Sequence, residues 1–129
     1  MAVFMKPYTA QSYALLRIIV GGMFLLHGSQ KLIGWPGAPP ADAPAFILYT
    51  AGPIELIGGA LIAVGLFTRW AAFICSGTMA AAYWMAHGLK HPLPILNHGE
   101  LAVLYCFVFL FIAAQGAGIW SVDESRSGA

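Results

Sequence analysis

The chain has 129 residues, of which 60% are hydrophobic and only 9% charged. A soluble domain carries about 25% charged residues, and a chain this short cannot hide so much apolar surface from water. Disorder is excluded by the same composition, and a net charge of +1 offers no electrostatic case for nucleic acid. What remains is an integral membrane protein, expected to form one domain over residues 1–129 with the lipid bilayer as its first partner.

A helix that crosses a bilayer needs about 20 mostly apolar residues. Four such runs appear in chain order, at about 14–33, 45–67, 71–87 and 100–116. The first opens after Gln11 and Ser12 and closes at Gly34-Trp35-Pro36-Gly37. It is too long for a signal-peptide core and lacks a small-residue cleavage site, so no cleavable leader is expected. A proline-rich loop separates it from the second run. Thr68-Arg69-Trp70 joins the second to the third so tightly that those two must be antiparallel neighbours. The loop over 88–99 holds Pro92 and Pro94, and the polar tail over 121–129 is expected to fray. Runs this long, without period-2 alternation, read as helices, and open strands cannot satisfy their edge amides in lipid. The predicted fold is all-α, a four-helix transmembrane bundle in antiparallel up-down order.

Orientation follows from the basic residues. Lys6, Arg17, Arg69 and Arg126 fall on one side and Lys31 and Lys90 on the other, which places both termini in the cytoplasm. Trp35 and Trp84 mark one interface, Trp70 and Trp120 the other. Gly21, Gly22, Gly58 and Gly59 are read as points of close helix approach. Cys75 and Cys106 sit in apolar runs with no CxxC, so they read as small core residues rather than as redox or metal ligands. Span boundaries set them on the order of 15 Å apart in depth, too far for a disulfide.

The informative residues are the ionisable ones inside apolar segments, because such groups are costly in hydrocarbon and turn toward a bundle interior. On the first helix Arg17, His27, Gln30 and Lys31 share one arc of about 140° at 100° per residue. Arg17 is either a snorkelling or a structural charge. Glu55 lies near mid-span, with Gly52 and Gly59 on its face, so other helices approach it closely. Folding the depths together gathers His27, Gln30, Lys31, Glu55, His87, His98 and Glu100 near one leaflet. Three readings compete. The cluster is a salt-bridged plug of Lys31 or Arg17 with Glu55 and Glu100. It is a quinone or small-molecule pocket in which His27 or Glu55 passes a proton. Or it holds a metal or haem, a reading weakened by the lack of any HxxxH or HExxH pair.

These residues carry a resemblance. Leu16-Arg17, Gly21-Gly22 and His27-Gly28-Ser29-Gln30-Lys31-Leu32 resemble the first-helix pattern of the DoxX family of small four-helix membrane proteins. Glu55-Leu56-Ile57-Gly58-Gly59 with Gly65-Leu66-Phe67-Thr68-Arg69-Trp70-Ala71-Ala72 is similar to its second helix and turn. Asn97-His98-Gly99-Glu100-Leu101-Ala102 and Gly118-Ile119-Trp120-Ser121-Val122-Asp123 resemble its last segment. The resemblance implies a multi-pass protein of the bacterial inner membrane. Some relatives are tied to redox work, among them a subunit of a thiosulfate–quinone oxidoreductase and membrane partners of superoxide-detoxifying and sulfur-transfer enzymes. By position, Arg17, His27, Gln30, Lys31, Glu55, His98 and Glu100 match recurring polar positions of a family without a settled catalytic set.

The expectation is therefore a membrane subunit of a redox complex. It anchors other protein subunits and offers a quinone or proton site near the outer leaflet, with no cofactor or metal of its own. The alternatives are a structural or assembly subunit without chemistry, and a small proton-coupled transporter. Four-helix drug exporters also carry one membrane-embedded Glu, but in the first helix, whereas Glu55 lies in the second.

Overall fold

The computed structural model describes residues 2–128. Every regular element among them is helical. A single 3-10 turn at Lys6–Tyr8 leads into α1, Thr9–Ile33; α2 is Ala45–Val64 and α3 Thr68–Tyr83. One π-helical turn, Trp84–Gly88, extends α3 before the short α4, Pro94–Asn97. The fourth long helix, α5, spans Glu100–Gln115, and α6 is Val122–Ser127. Lys6–Ile33 and Ala45–Val64 are long and apolar enough to cross a membrane, and α5 is apolar but shorter, at 16 residues.

The boundaries differ from the apolar runs for local reasons. Helix α1 starts before residue 14 because a polar first turn costs nothing where side chains stay exposed, and hydropathy cannot register it. Helix α2 stops at Val64 rather than 67, because Gly65 takes a left-handed conformation at φ 73° and its N–H turns back to the Leu61 carbonyl at 2.9 Å. The expected fraying of the tail is also corrected. Residues 122–127 form α6, capped by Ser121, whose Oγ accepts from the Glu124 N–H at 3.2 Å. The last residue lies outside the described ones.

The four long helices run antiparallel to their neighbours. Gly21 faces Ala63, the Leu25 backbone faces Gly59, and Gly28 faces Leu56 and Gly52, so numbers rise on α1 as they fall on α2. A side chain at Gly21 would place its Cβ 2.7 Å from the Ala63 amide nitrogen, and one at Gly59 would come 2.7 Å from the Gly21 carbonyl. Glycine is required here because backbone packs directly on backbone. The α3–α5 seam is made the same way from small residues: the Ser76 hydroxyl donates to the Cys106 carbonyl at 2.7 Å. That contact corrects the depth expected for the cysteines. Cys106 lies level with Ser76, hence with Cys75, yet both thiols are free. Cys75 points toward α2 instead, against Gly58 and the Ile54 carbonyl.

Between the α1–α2 and α3–α5 pairs lies an aromatic layer. Phe24 meets Phe109 with ring centroids 4.7 Å apart and Tyr105 at 5.1 Å. Ile62, Ala72 and Ile112 complete the fully buried core.

Polar ties close the bundle at the Arg17 end. Arg17 is wholly buried, and it does not snorkel. Its guanidinium donates to the carbonyls of Ile62 at 2.8 Å and Ala63 at 2.7 Å, and to those of Ile119 at 3.2 Å and Trp120 at 2.8 Å. The first two carbonyls belong to the last turn of α2, where Ile62 has only the capping Gly65 N–H at 3.2 Å and both carry the negative end of the helix dipole. Arg69 does the same for α5, donating to the Ala113 carbonyl at 3.0 Å. At the start of α3, Asp123 accepts from the Phe67 N–H at 3.0 Å, the Thr68 N–H at 2.9 Å and the Thr68 hydroxyl at 2.8 Å. A residue more than fifty positions away thus caps α3 and docks α6. Partial burial works against the charge on Asp123. The hydrogen bonds from Thr68 and Phe67 and the nearby Arg126 outweigh it and hold the carboxyl below its ordinary value.

Two predictions follow from this frame. Gly59→Leu should destabilise the bundle by about 3 kcal/mol or more by prising α1 from α2, whereas Gly77→Leu, which would enter open space, should leave it unchanged. Heating in detergent followed by size-exclusion chromatography separates the two. Because the Asp123 carboxyl is held low in the folded protein, its contribution is full above the ordinary value of 3.8 and fades as pH falls through the lowered one. Pepsin should therefore release the tail only in strong acid. Asp123→Asn should loosen the tail at every pH and flatten that acid dependence.

Candidate functional site

At the opposite end of the α1–α2 seam, the register that sets Gly28 against Leu56 brings Lys31 beside Glu55. Lys31 Nζ donates to Glu55 Oε2 at 2.7 Å. The side chains are 19% and 4% exposed, so the carboxylate is the deeper partner and the lysine stem reaches in from the edge. An ion pair with so little water around it persists only when both charges are matched, since either alone would be stranded.

The pair borders an open cavity of about 240 Å³ lined by residues from all the long helices. His27 and Lys31 reach it from α1, Glu55 from α2, Met79 from α3, His87 from the π turn, His98 from the loop before α5, and Tyr105 from α5. The His27 and Tyr105 rings meet edge to face with centroids 5.9 Å apart. Tyr105 is 5% exposed, and its hydroxyl has no hydrogen-bond partner among the described residues. A buried phenol normally finds a partner, which makes this unpaired hydroxyl an exception beside the cavity.

The loop beside the cavity is fixed by Asn97, a buried amide. Its Nδ2 donates to the Tyr83 hydroxyl at 2.9 Å and the His91 carbonyl at 2.7 Å, and its Oδ1 accepts from the Gly99 N–H at 2.8 Å. The Asn97 carbonyl lies 2.9 Å from His87 Nδ1. His98 follows in a left-handed conformation, φ 61°, and remains exposed at the rim.

Of the residues singled out in the sequence, His27, Lys31, Glu55 and His98 come together around this cavity. Gln30 does not. It lines a separate shallow depression with Met23, Leu26 and Pro36, which only His27 shares. Glu100 is exposed in the first turn of α5 and lines another depression with Pro94 and Leu104. It pairs with neither Lys31 nor Arg17, and Arg17 is committed to backbone carbonyls at the far end. His87, weighed as part of the cluster and as a metal ligand, is in the wall. Among the described residues no group of three or more His, Cys, Asp or Glu side chains could hold a metal ion. Sequence reasoning overlooked Tyr105 and Asn97. A phenol in an otherwise apolar run is a usable signal for the first, since its hydroxyl must be satisfied or serve a ligand.

Helices apolar enough to cross a membrane, packed around a largely buried ion pair beside a small cavity, define a membrane-associated helical protein with ionisable side chains in a mostly apolar pocket. The chain belongs to the DoxX family, whose model matches residues 12–88. That stretch includes His27, Lys31, Glu55 and His87 and ends before His98 and Tyr105. An "Uncharacterized protein" of Haemophilus influenzae (strain Rd) is 41% identical over 126 residues, covering 93% of this chain and 94% of the relative. The "Putative oxidoreductase CatD" of Bacillus subtilis (strain 168) is 30% identical over 113 residues, covering 84% and 82%. No solved structure matches the chain.

The ion pair is open to a mutational cycle. Lys31→Met alone should cost up to about 3 kcal/mol, less if Glu55 takes up a proton. Lys31→Met with Glu55→Leu should recover most of that loss. Thermal unfolding of the four forms in one detergent gives the coupling, and strict additivity would show that the pair contributes nothing.

Proposed function

We propose that this DoxX protein is a four-span protein of the bacterial inner membrane with both termini cytoplasmic. It serves as the membrane subunit of a redox complex in which the cavity binds a quinone ring. The excess of Lys and Arg at the Arg17 end supports this orientation, and with it an outer-leaflet position for the cavity. The observation that carries the reading is that Tyr105, whose buried hydroxyl has no partner among the described residues, lines the same small cavity as the Lys31–Glu55 pair. The donors suit a quinone, whose two carbonyl oxygens accept hydrogen bonds and which takes up two protons when two electrons reduce it. The cavity is below the roughly 300 Å³ at which drug-sized pockets begin, enough for a ring and not for a tailed molecule.

In this reading Tyr105 donates to one carbonyl oxygen and fixes the ring. Lys31 offers positive charge where negative charge develops, and passes its share of the ion pair to the ligand. Glu55 and His27 hold and deliver protons, with His98 at the rim as their link to water. The electrons are assigned to a partner subunit anchored on this chain. The name of the Bacillus subtilis relative, an oxidoreductase, supports redox work of this kind.

A second reading rests on the same pair. Lys31–Glu55 stitches α1 to α2 and could serve only to lock their register. Titration with decylubiquinone in lipid nanodiscs discriminates. Tyr105→Phe and Glu55→Gln should each weaken binding about tenfold, roughly the loss of one or two buried hydrogen bonds, with Tyr105→Phe leaving thermal stability within about 1 kcal/mol. Unchanged affinity in both variants would leave the register lock as the pair's only role.

A further inference from the structure

A second space lies on the other side of the α2–α3 seam. It is an apolar crevice of about 240 Å³ on the outer surface of the bundle, walled by Ile54, Ile57 and Leu61 of α2 and by Ala71 and Ile74 of α3. Ile57 and Ile74 are more than half exposed. What stands between crevice and cavity is thin. Gly58 presents no side chain and its backbone abuts the Cys75 sulfur. The polar tie across this part of the seam is a thiol contact to the Ile54 carbonyl at 4.0 Å. One helical turn away, about 5.4 Å along the axis, Glu55 on α2 and Met79 on α3 already line the cavity. Met79 is unbranched and flexible, so it can yield where a branched residue could not.

These two spaces fit one kind of molecule. We infer that the ligand is a membrane-dissolved amphiphile that enters sideways between α2 and α3, seating its ring in the cavity and its hydrocarbon tail in the crevice. The inference rests on the ring-binding reading above. Its independent ground is the nearness of an apolar groove to the cavity, with only the Gly58, Cys75 and Met79 seam standing between them. The cavity alone cannot hold ring and tail together. A tail leaving through the rim at His98 would lie against water, which disfavours every methylene. A tail leaving through the seam stays in hydrocarbon throughout.

The test uses the full chain in nanodiscs with decylubiquinone and the same fully substituted ring carrying a methyl group in place of the tail. Comparing wild type with an Ile57→Trp/Ile74→Trp variant in one bilayer cancels the partitioning of each probe into lipid. The variant should weaken decylubiquinone by at least about tenfold and the methyl ring by less than about twofold. If that variant does not fold, the smaller Ile57→Phe/Ile74→Phe change narrows the same groove: it should weaken decylubiquinone and leave the methyl ring unchanged. Equal effects on both probes, or none, would overturn the lateral route while leaving ring binding intact, the crevice then holding only bilayer acyl chains. Failure of both probes to bind wild type would remove the ring-binding reading and this inference with it.

Discussion

The α1–α2 seam decides where every charge in the first half of the chain ends up. Direct backbone contact at Gly21, Gly28 and Gly59 admits no sliding, because a shift in either direction would drive a side chain into a main chain. With the register set, Arg17 falls opposite the last carbonyls of α2, and Lys31 falls opposite Glu55. The seam is therefore more than packing. It carries one cation to a helix terminus and another to a carboxylate, at opposite ends of the same interface.

The two ends solve the same physical problem differently. Arg17 is matched by dipoles: four backbone carbonyls share its guanidinium, two from α2 and two from the chain before α6. That arrangement ties three segments together and offers no proton for exchange, with only Arg17 Nε left unpartnered. Lys31 is matched by a full charge that can change its protonation state, beside a cavity with an unpartnered phenol. A bundle that needed only stability could have capped both ends with dipoles or filled the second with apolar side chains. The contrast is why the Lys31 end, rather than the Arg17 end, supports the ligand reading.

The aromatic layer joins the two halves without fixing them as tightly. Phe24, Tyr105 and Phe109 fill the space between the α1–α2 and α3–α5 pairs. Tyr105 belongs to this layer and to the cavity wall at once. Its ring is held by packing and its hydroxyl is left free, an economical way to aim a donor into an apolar interior. The α2–α3 seam, lined by Gly58, Cys75 and Met79, is the more yielding side of the cavity, and the structure is asymmetric around its pocket for that reason.

Composition and the lengths of four apolar runs were enough to determine an all-helical bundle. They also marked Arg17 and Glu55 as inward-facing, because the cost of a charge in hydrocarbon does not depend on tertiary detail. Gly21 and Gly59 of the α1–α2 contact, the Glu55 face and the family were readable from local spacing, whereas Gly22 meets nothing, Gly58 meets Cys75 of α3, and Gly28 was not among the glycines singled out. Only the tertiary structure decided which charges meet. Helical angle alone placed Gln30 and Glu100 with the cluster, but angle does not say which neighbour lies across, and both turn to other surfaces. Depth counted from span ends misjudged Cys106, since the helices begin where capping allows and not where hydropathy changes. The polar tail looked loose because its partners, Gly65 and Thr68, lie more than fifty residues away. Pairing at that separation is set by how the chain packs, and sequence spacing carries no record of it.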